Sequence, residues 1–315
     1  MKFKSFHDFD AFAASVRDID GSMLLQNPKH HSWSIWQINL SGIDIQLGKL
    51  GSGNIVEGQS WSDGYLLYLP LSDKCAYSAN GTVLDKHSLM LLEPGCDFCI
   101  STKDEHDWCS IFLPKNQLSG GDNNSAHLSE QGKMNCKVTR PNHQLAGEFR
   151  AFIIQLLNTA SHCQKLELSA AAKVAALQAK KIAVSIINQQ QPDQPSLGGR
   201  PRIAREEIIR CSKELLQERQ REIVLVPELA AAAKVSERTL RNAFKEYFGI
   251  GPVRYLHLRQ LHQVHRALGE ADPGVISVSD IFLRYGVWEF GRFSLRYKTL
   301  FGEYPSETLR KNKKF

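Results

Sequence analysis

One pattern is written twice near the C-terminus of this 315-residue chain. Residues 226–249 read VPELAAAAKVSERTLRNAFKEYFG, and residues 278–302 read VSDIFLRYGVWEFGRFSLRYKTLFG. Each is a short amphipathic helix, a tight turn and a longer helix that sets Arg and Lys between its apolar positions. Each closes on Gly, with Pro252 or Pro305 soon after. That is the pattern of a helix-turn-helix, whose second helix is shaped to lie in a DNA major groove. Two copies about 50 residues apart are far less expected by chance than one.

The local chemistry of the first copy is explicit. Pro227 suits a first helical turn, and Leu229, Ala230 and Ala233 supply the inner face. Ser236 stands at an N-cap position, where a hydroxyl satisfies a free backbone N–H. Leu240 and Phe244 are four apart and point inward, which leaves Arg238, Thr239, Arg241, Asn242 and Lys245 outward. Arg can grip guanine bidentately and Asn can grip adenine, whereas Ser, Thr and Lys suit phosphates. The competing reading of the same residues is the solvated face of an amphipathic helix. Between the copies, residues 252–268 carry Val253, Leu256, Leu261, Val264 and Leu268 at helical spacing. A helix of that length is roughly 24 Å long, a strut able to place two recognition helices near the roughly 34 Å spacing of successive major grooves.

Charge follows the same division. From Arg200 onward there are 22 Lys and Arg against 14 Asp and Glu, a surplus of eight, whereas residues 1–199 are acidic by two. A basic C-terminal third points to a polyanionic partner. No stretch approaches the roughly 20 apolar residues of a membrane span, and the N-terminus lacks an apolar signal core. Seven cysteines without framework spacing imply reduced thiols, so a cytoplasmic location is expected.

The rest of the chain divides in two. Short apolar or alternating runs between Trp33 and Pro114, separated by Gly, Asn, Asp and Ser, read as strands of a sandwich or barrel. Residues 119–133 are a polar loop. Residues 143–160 place Leu145, Phe149, Phe152, Ile153 and Leu156 on one helical face, and residues 167–189 carry a stripe of Leu168, Ala171, Ala175, Ala179, Ile182 and Ile186. These helices are expected to form a homodimer interface, the alternative being packing on the β region. Linker composition marks residues 191–200. The organisation expected is therefore a sensory and dimerisation domain over residues 1–190 (strands about 30–115, helices about 141–190), the linker, and a DNA-binding domain over residues 201–315. The fold class is α+β, with a β-rich N-terminal domain and an all-α C-terminal one.

The C-terminal hundred or so residues resemble the AraC/XylS family of bacterial transcription regulators. The order is helix-turn-helix, FGIGPVRYLHLRQL, second helix-turn-helix, then FGEYPSETLR. Gly249–Pro252 and Gly286–Phe293 are also similar to the subgroup containing the ethanolamine-utilisation operon regulator. The resemblance implies base reading by Arg238, Arg241 and Asn242 in the first helix, and by positions near Glu289, Phe290, Gly291 and Arg292 in the second. It implies a phosphate partner in Arg296, with Ser294 and Lys298 in the same DNA-facing set, and promoter activation through contacts with RNA polymerase. It further implies a cupin-like barrel that binds a small effector or mediates dimerisation.

Three departures from the family pattern carry consequences. Lys234 stands in the first turn where Gly is common, and a left-handed residue there would cost on the order of 1 kcal/mol. Phe282 replaces a small residue, so its ring must spread the two helices or repack beside Trp288. Gly291 offers no side chain to a base, so the second copy is expected to anchor phosphates more than it reads sequence.

Candidate pocket aromatics are Trp36, Trp61, Tyr65, Tyr68 and Phe98, which serve equally as plain core. Cys96, Cys99, Cys109, His87, His106, His30 and His31 give one close ligand pair where a structural zinc site has two, so neither metal nor cofactor is expected. No Gly-rich phosphate loop or nucleophile–base pair stands out, and the chain reads as non-enzymatic. The rivals are a cupin-type metalloenzyme fused to a DNA-binding module and an RNA-binding protein using the same helices.

Overall fold

Alternation along the strands sets the layers of the N-terminal region. The computed structural model describes residues 2–73, 75–85, 88–118, 136–139, 143–162, 170–188, 205–220 and 222–311. In chain order the first elements are β1 (Lys2–Phe6), α1 (Phe9–Ala13), β2 (Ile19–Gln26), β3 (Trp33–Leu40), β4 (Ile43–Leu50), β5 (Gly53–Ser60) and β6 (Gly64–Pro70). Then come β7 (Tyr77–Ala79), β8 (Thr82–Leu84), β9 (Leu89–Leu92), β10 (Asp97–Thr102), β11 (His106–Pro114), α2 (Lys115–Leu118) and β12 (Cys136–Thr139). They form a seven-stranded sheet, β1-β3-β4-β11-β6-β9-β12, and a five-stranded sheet, β2-β5-β10-β7-β8. Every pairing is antiparallel, with Ile111 opposite both Ile45 and Leu67.

Successive side chains of a strand face opposite ways. Along β11, Trp108 and Phe112 therefore join the core shared with the second sheet, while Cys109, Ile111 and Leu113 face away from it. That outer face is covered by α3 (His143–His162) and α4 (Ala170–Asn188). Leu145, Phe149, Phe152, Ile153 and Leu156 are all buried there, as the periodicity requires. On α4 the buried stripe runs through Ala172, Ala176, Ala179, Ala183 and Ile186. Ala171 is exposed and Ala175 half-buried, so the first turns are rotated by one residue from the expected stripe. Ile154, Val174 and Leu177 remain more than half exposed. Leu168, His87, the polar loop and the linker lie outside the described residues.

Strands β1 and β2 and helix α1 lie before the region read as β from the sequence. Strand β1 is largely exposed, and β2 mixes Asp20, Gly21 and Ser22 with apolar residues, so neither offers clean alternation.

The C-terminal part is all helical: α5 (Arg205–Glu218), α6 (Val226–Ala232), α7 (Glu237–Phe248), α8 (Pro252–Glu270), α9 (Val278–Arg284), α10 (Phe290–Phe301) and α11 (Pro305–Lys311). It packs on the five-stranded sheet and shares a continuous core with it: Phe244, Phe248 and Tyr255 belong to the same buried cluster as Cys99 and Ile100. Among the described residues no helix is long and apolar enough to cross a membrane.

Candidate nucleic-acid interface

Two helix pairs flank α8. In the first, Ser236 caps α7 by accepting from the Thr239 N–H at 3.2 Å, and Gly249 ends it in the left-handed region at φ 73°. In the second, Ser277 and Asp280 form a capping box on α9, and Gly302 ends α10 at φ 81°. The turns differ in chemistry at the same structural point. Gly286 takes φ 69° without steric cost, whereas Lys234 holds φ 53° with a Cβ. The strain expected from the sequence at Lys234 is present.

Phe282 does not pack beside Trp288. It is buried and meets the rings of Phe290 and Phe293 edge-on, at 5.3 and 5.0 Å between centroids. Trp288 takes no part and is 77% exposed.

The outward set of the first pair is displayed as a group: Arg238, Thr239, Arg241, Asn242 and Lys245 are exposed, while Leu240, Ala243 and Phe244 are buried. The hydroxyls of Ser236 and Thr239 are 2.9 Å apart, so both serve the cap. Arg241 Nη2 lies 3.2 Å from Glu237 Oε2 one turn earlier. The second pair repeats the device, with Arg292 Nη1 3.0 Å from Glu289 Oε1. Both ion pairs are exposed, hold little energy and release readily to a phosphate or base. Arg296 and Lys298 are exposed, Lys298 sits over the Tyr304 ring at 4.1 Å, and Ser294 is half-buried.

Helix α8, at 19 residues, is about 28 Å long. The β region holds the assembly at several places. The Phe248 carbonyl ending α7 accepts from Ser101 Oγ at 2.6 Å. Along α8, Tyr255 Oη donates to Glu57 Oε1 at 2.7 Å, and His262 Nε2 accepts the Leu25 N–H at 2.7 Å. Near the end of α10, His31 Nε2 is 3.2 Å from the Leu300 carbonyl. Both recognition helices thus rest on the β region by their C-terminal ends, and their N-terminal halves carry exposed Arg238 and Arg241 on α7 and Arg292 on α10.

His262 is fully buried, and burial pushes its pKa down to about 3. Because Nε2 accepts an amide hydrogen, the proton of the neutral ring sits on Nδ1, 3.9 Å from Asp10 Oδ1. That contact is a dipole facing a carboxylate. It is not an ion pair at neutral pH.

Residues 229–311 match the family described as a helix-turn-helix domain. The XylDLEGF operon transcriptional activator of Pseudomonas putida is 35% identical over 101 residues, which cover 32% of this chain and 32% of that protein. The probable thc operon regulatory protein of Rhodococcus erythropolis is 33% identical over 110 residues, 35% of this chain and 33% of that one. The C-terminal part of the chain is similar to the AraC/XylS family of regulators. The chain spans about a third of the length of these curated relatives. Among solved structures, the AraC-like transcriptional activator CuxR is similar with a TM-score of 0.43 at 14% identity, over 83% of this chain and 94% of that one. A probable AraC family transcriptional regulator from Rhodopseudomonas palustris is similar with a TM-score of 0.31 at 26% identity, over 34% and 98%.

The N-terminal sheets line a small cavity of about 40 Å³. Phe12, Tyr68, Phe98 and Trp108 line it, with Asn54, His106 and Ser110 as polar groups. Of the aromatics named from the sequence, Tyr68 and Phe98 are therefore at the cavity, and Trp36, Trp61 and Tyr65 are not. Trp36 meets Phe3 in a tilted contact at 4.7 Å between ring centroids, Trp61 is 43% exposed beside Phe112, and Tyr65 packs under α3 and α4. His106 is buried with its Nδ1 3.0 Å from the Ser52 carbonyl, and burial pushes its pKa down to about 4. Among the described residues no three His, Cys, Asp or Glu side chains are grouped to hold a metal ion.

Proposed function

We propose that this protein is a non-enzymatic, sequence-specific regulator of transcription that binds double-stranded promoter DNA through α7 and α10. The observation that carries the reading is the pairing of two exposed, arginine-bearing recognition helices across α8, each tethered to the β region at its far end. Arg238, Arg241 and Asn242 read bases from α7, and Ser236, Thr239 and Lys245 support them at the backbone. Glu289, Arg292, Ser294, Arg296 and Lys298 do the corresponding work at α10. The named relatives are an operon activator and an operon regulatory protein, and activation through RNA polymerase in the bacterial cytoplasm is the matching role here.

The N-terminal sheets act, in this reading, as a cupin-like sensory barrel for a small effector. Ligand pockets are usually about 300–1,000 Å³, so the 40 Å³ cavity must enlarge to admit one. Helix α1, which carries Phe12 into the cavity wall, is the short element whose displacement would do so. A homodimer forms through the face of α3 and α4 that leaves Ile154, Val174 and Leu177 exposed.

Selection of duplexes from a random pool by the full-length protein tests the central reading. An enriched duplex should bind with affinity that falls steeply as salt rises. Equal retention of an RNA hairpin, or no enrichment at all, would contradict it.

A further inference from the structure

The two recognition helices do not present the same chemistry. Helix α7 shows Arg238, Thr239, Arg241, Asn242 and Lys245, all polar. Around α10 the exposed positions include two large apolar side chains, Trp288 just before the helix and Leu295 on it, beside Glu289, Gly291, Arg292 and Arg296. Trp288 is 77% exposed and Leu295 is 62% exposed. Spacings of three and four residues put Gly291, Arg292, Leu295 and Arg296 on one helical face, with Trp288 at its leading edge. A Cβ built on Gly291 meets nothing within 4 Å, so the centre of this face is bare backbone.

The immediate charged neighbours are Arg292, Arg296 and Glu289, the last paired with Arg292. Trp288, Arg292 and Arg296 line a shallow concavity of about 220 Å³ with His257 and Gln260. An apolar strip flanked by arginines, on a helix shaped for the major groove, matches one feature of base edges. The thymine 5-methyl is the apolar group the major groove displays.

We infer that the second recognition helix reads thymine: Trp288 and Leu295 pack on 5-methyl groups while Arg292 and Arg296 hold the flanking phosphates. Gly291 lets the duplex approach the helix backbone between them. This rests on the DNA-binding reading above and replaces the expectation that the second copy chiefly anchors phosphates. Half of the recognised sequence is then specified by apolar contact and half by the hydrogen bonds of α7.

The experiment uses full-length protein and the duplex enriched by random selection. Each thymine is exchanged singly for deoxyuridine, which removes only the methyl group. The wild type should lose about three- to fivefold in affinity at one or two positions, all within one block of the site. Trp288→Ala and Leu295→Ala should each bind the thymine and deoxyuridine duplexes alike at one such position, whereas Arg241→Ala should keep the full discrimination. Both replaced side chains are exposed, and far-UV circular dichroism checks that the fold is retained. Wild-type affinity indifferent to every methyl, or Ala variants that still discriminate, would overturn the inference. Failure to enrich any duplex would overturn the DNA-binding reading and the inference with it.

Discussion

Tyr255 on α8 donates its hydroxyl to Glu57 of β5 at 2.7 Å, and Lys213 of α5 reaches the second carboxylate oxygen of Glu57 at 3.3 Å. The carboxylate is almost fully buried between the β region and the helical domain. Its two partners come from one side of that boundary, so the bond is a fastening between them.

Tyr255→Phe removes one of those partners and leaves the buried oxygen unmatched. Urea unfolding of the full chain should show a loss of about 1–3 kcal/mol. Glu57→Gln should lose the attraction to Lys213 yet still accept from Tyr255, and so cost less.

Lys234 offers the opposite case. Its φ of 53° is taken by Gly286 in the second copy, so Lys234→Gly should stabilise the protein by about 0.5–1 kcal/mol. Thermal unfolding at neutral pH checks the sign.

Asp18 gives a dependence on pH. Burial, helped by the nearby Asp44 charge, pushes its pKa up to about 7. A raised carboxyl contributes stability that is full below its unfolded value near 3.8 and is lost as pH rises through about 7. Asp18→Asn removes the charge, keeps an acceptor for Gln46 and tolerates φ 68°. The variant should exceed the wild type by on the order of 1–3 kcal/mol at pH 8 and match it near pH 4, measured by denaturant titration at each pH.

His262 works with the reverse sign. Its folded value near 3 lies below the ordinary 6.5, so the stability it contributes is present above about 6.5 and is lost as pH falls toward 3. His262→Gln retains an acceptor for the Leu25 amide but cannot titrate. Between pH 6 and 4 its stability should fall less steeply than that of the wild type, by about 1.4 kcal/mol per pH unit.

What was legible in the sequence is what local chemistry determines. Leu240 and Phe244 four apart, Ser236 before the helix and Gly249 after it fix α7 without reference to anything distant. The strain at Lys234 was readable for the same reason. The docking of the helical domain was not, because Tyr255 and His262 on α8 look like any helix residues until Glu57 and Leu25 are brought to them. Which aromatics face the cavity turned in part on parity. Tyr65 and Tyr68 are three apart on β6, so they face opposite ways, and nothing local says which face closes the cavity. Trp288 was hidden because Phe290 and Phe293, not Trp288, accommodate Phe282.

Hydroxyl-radical footprinting of the full-length protein on its selected duplex tests the central claim most directly. Two protected patches on one face of the duplex, centred about 10 base pairs apart, are predicted, with Arg241→Ala weakening one and Arg292→Ala the other. A single patch, or two on opposite faces, would contradict the pairing of α7 and α10 across α8.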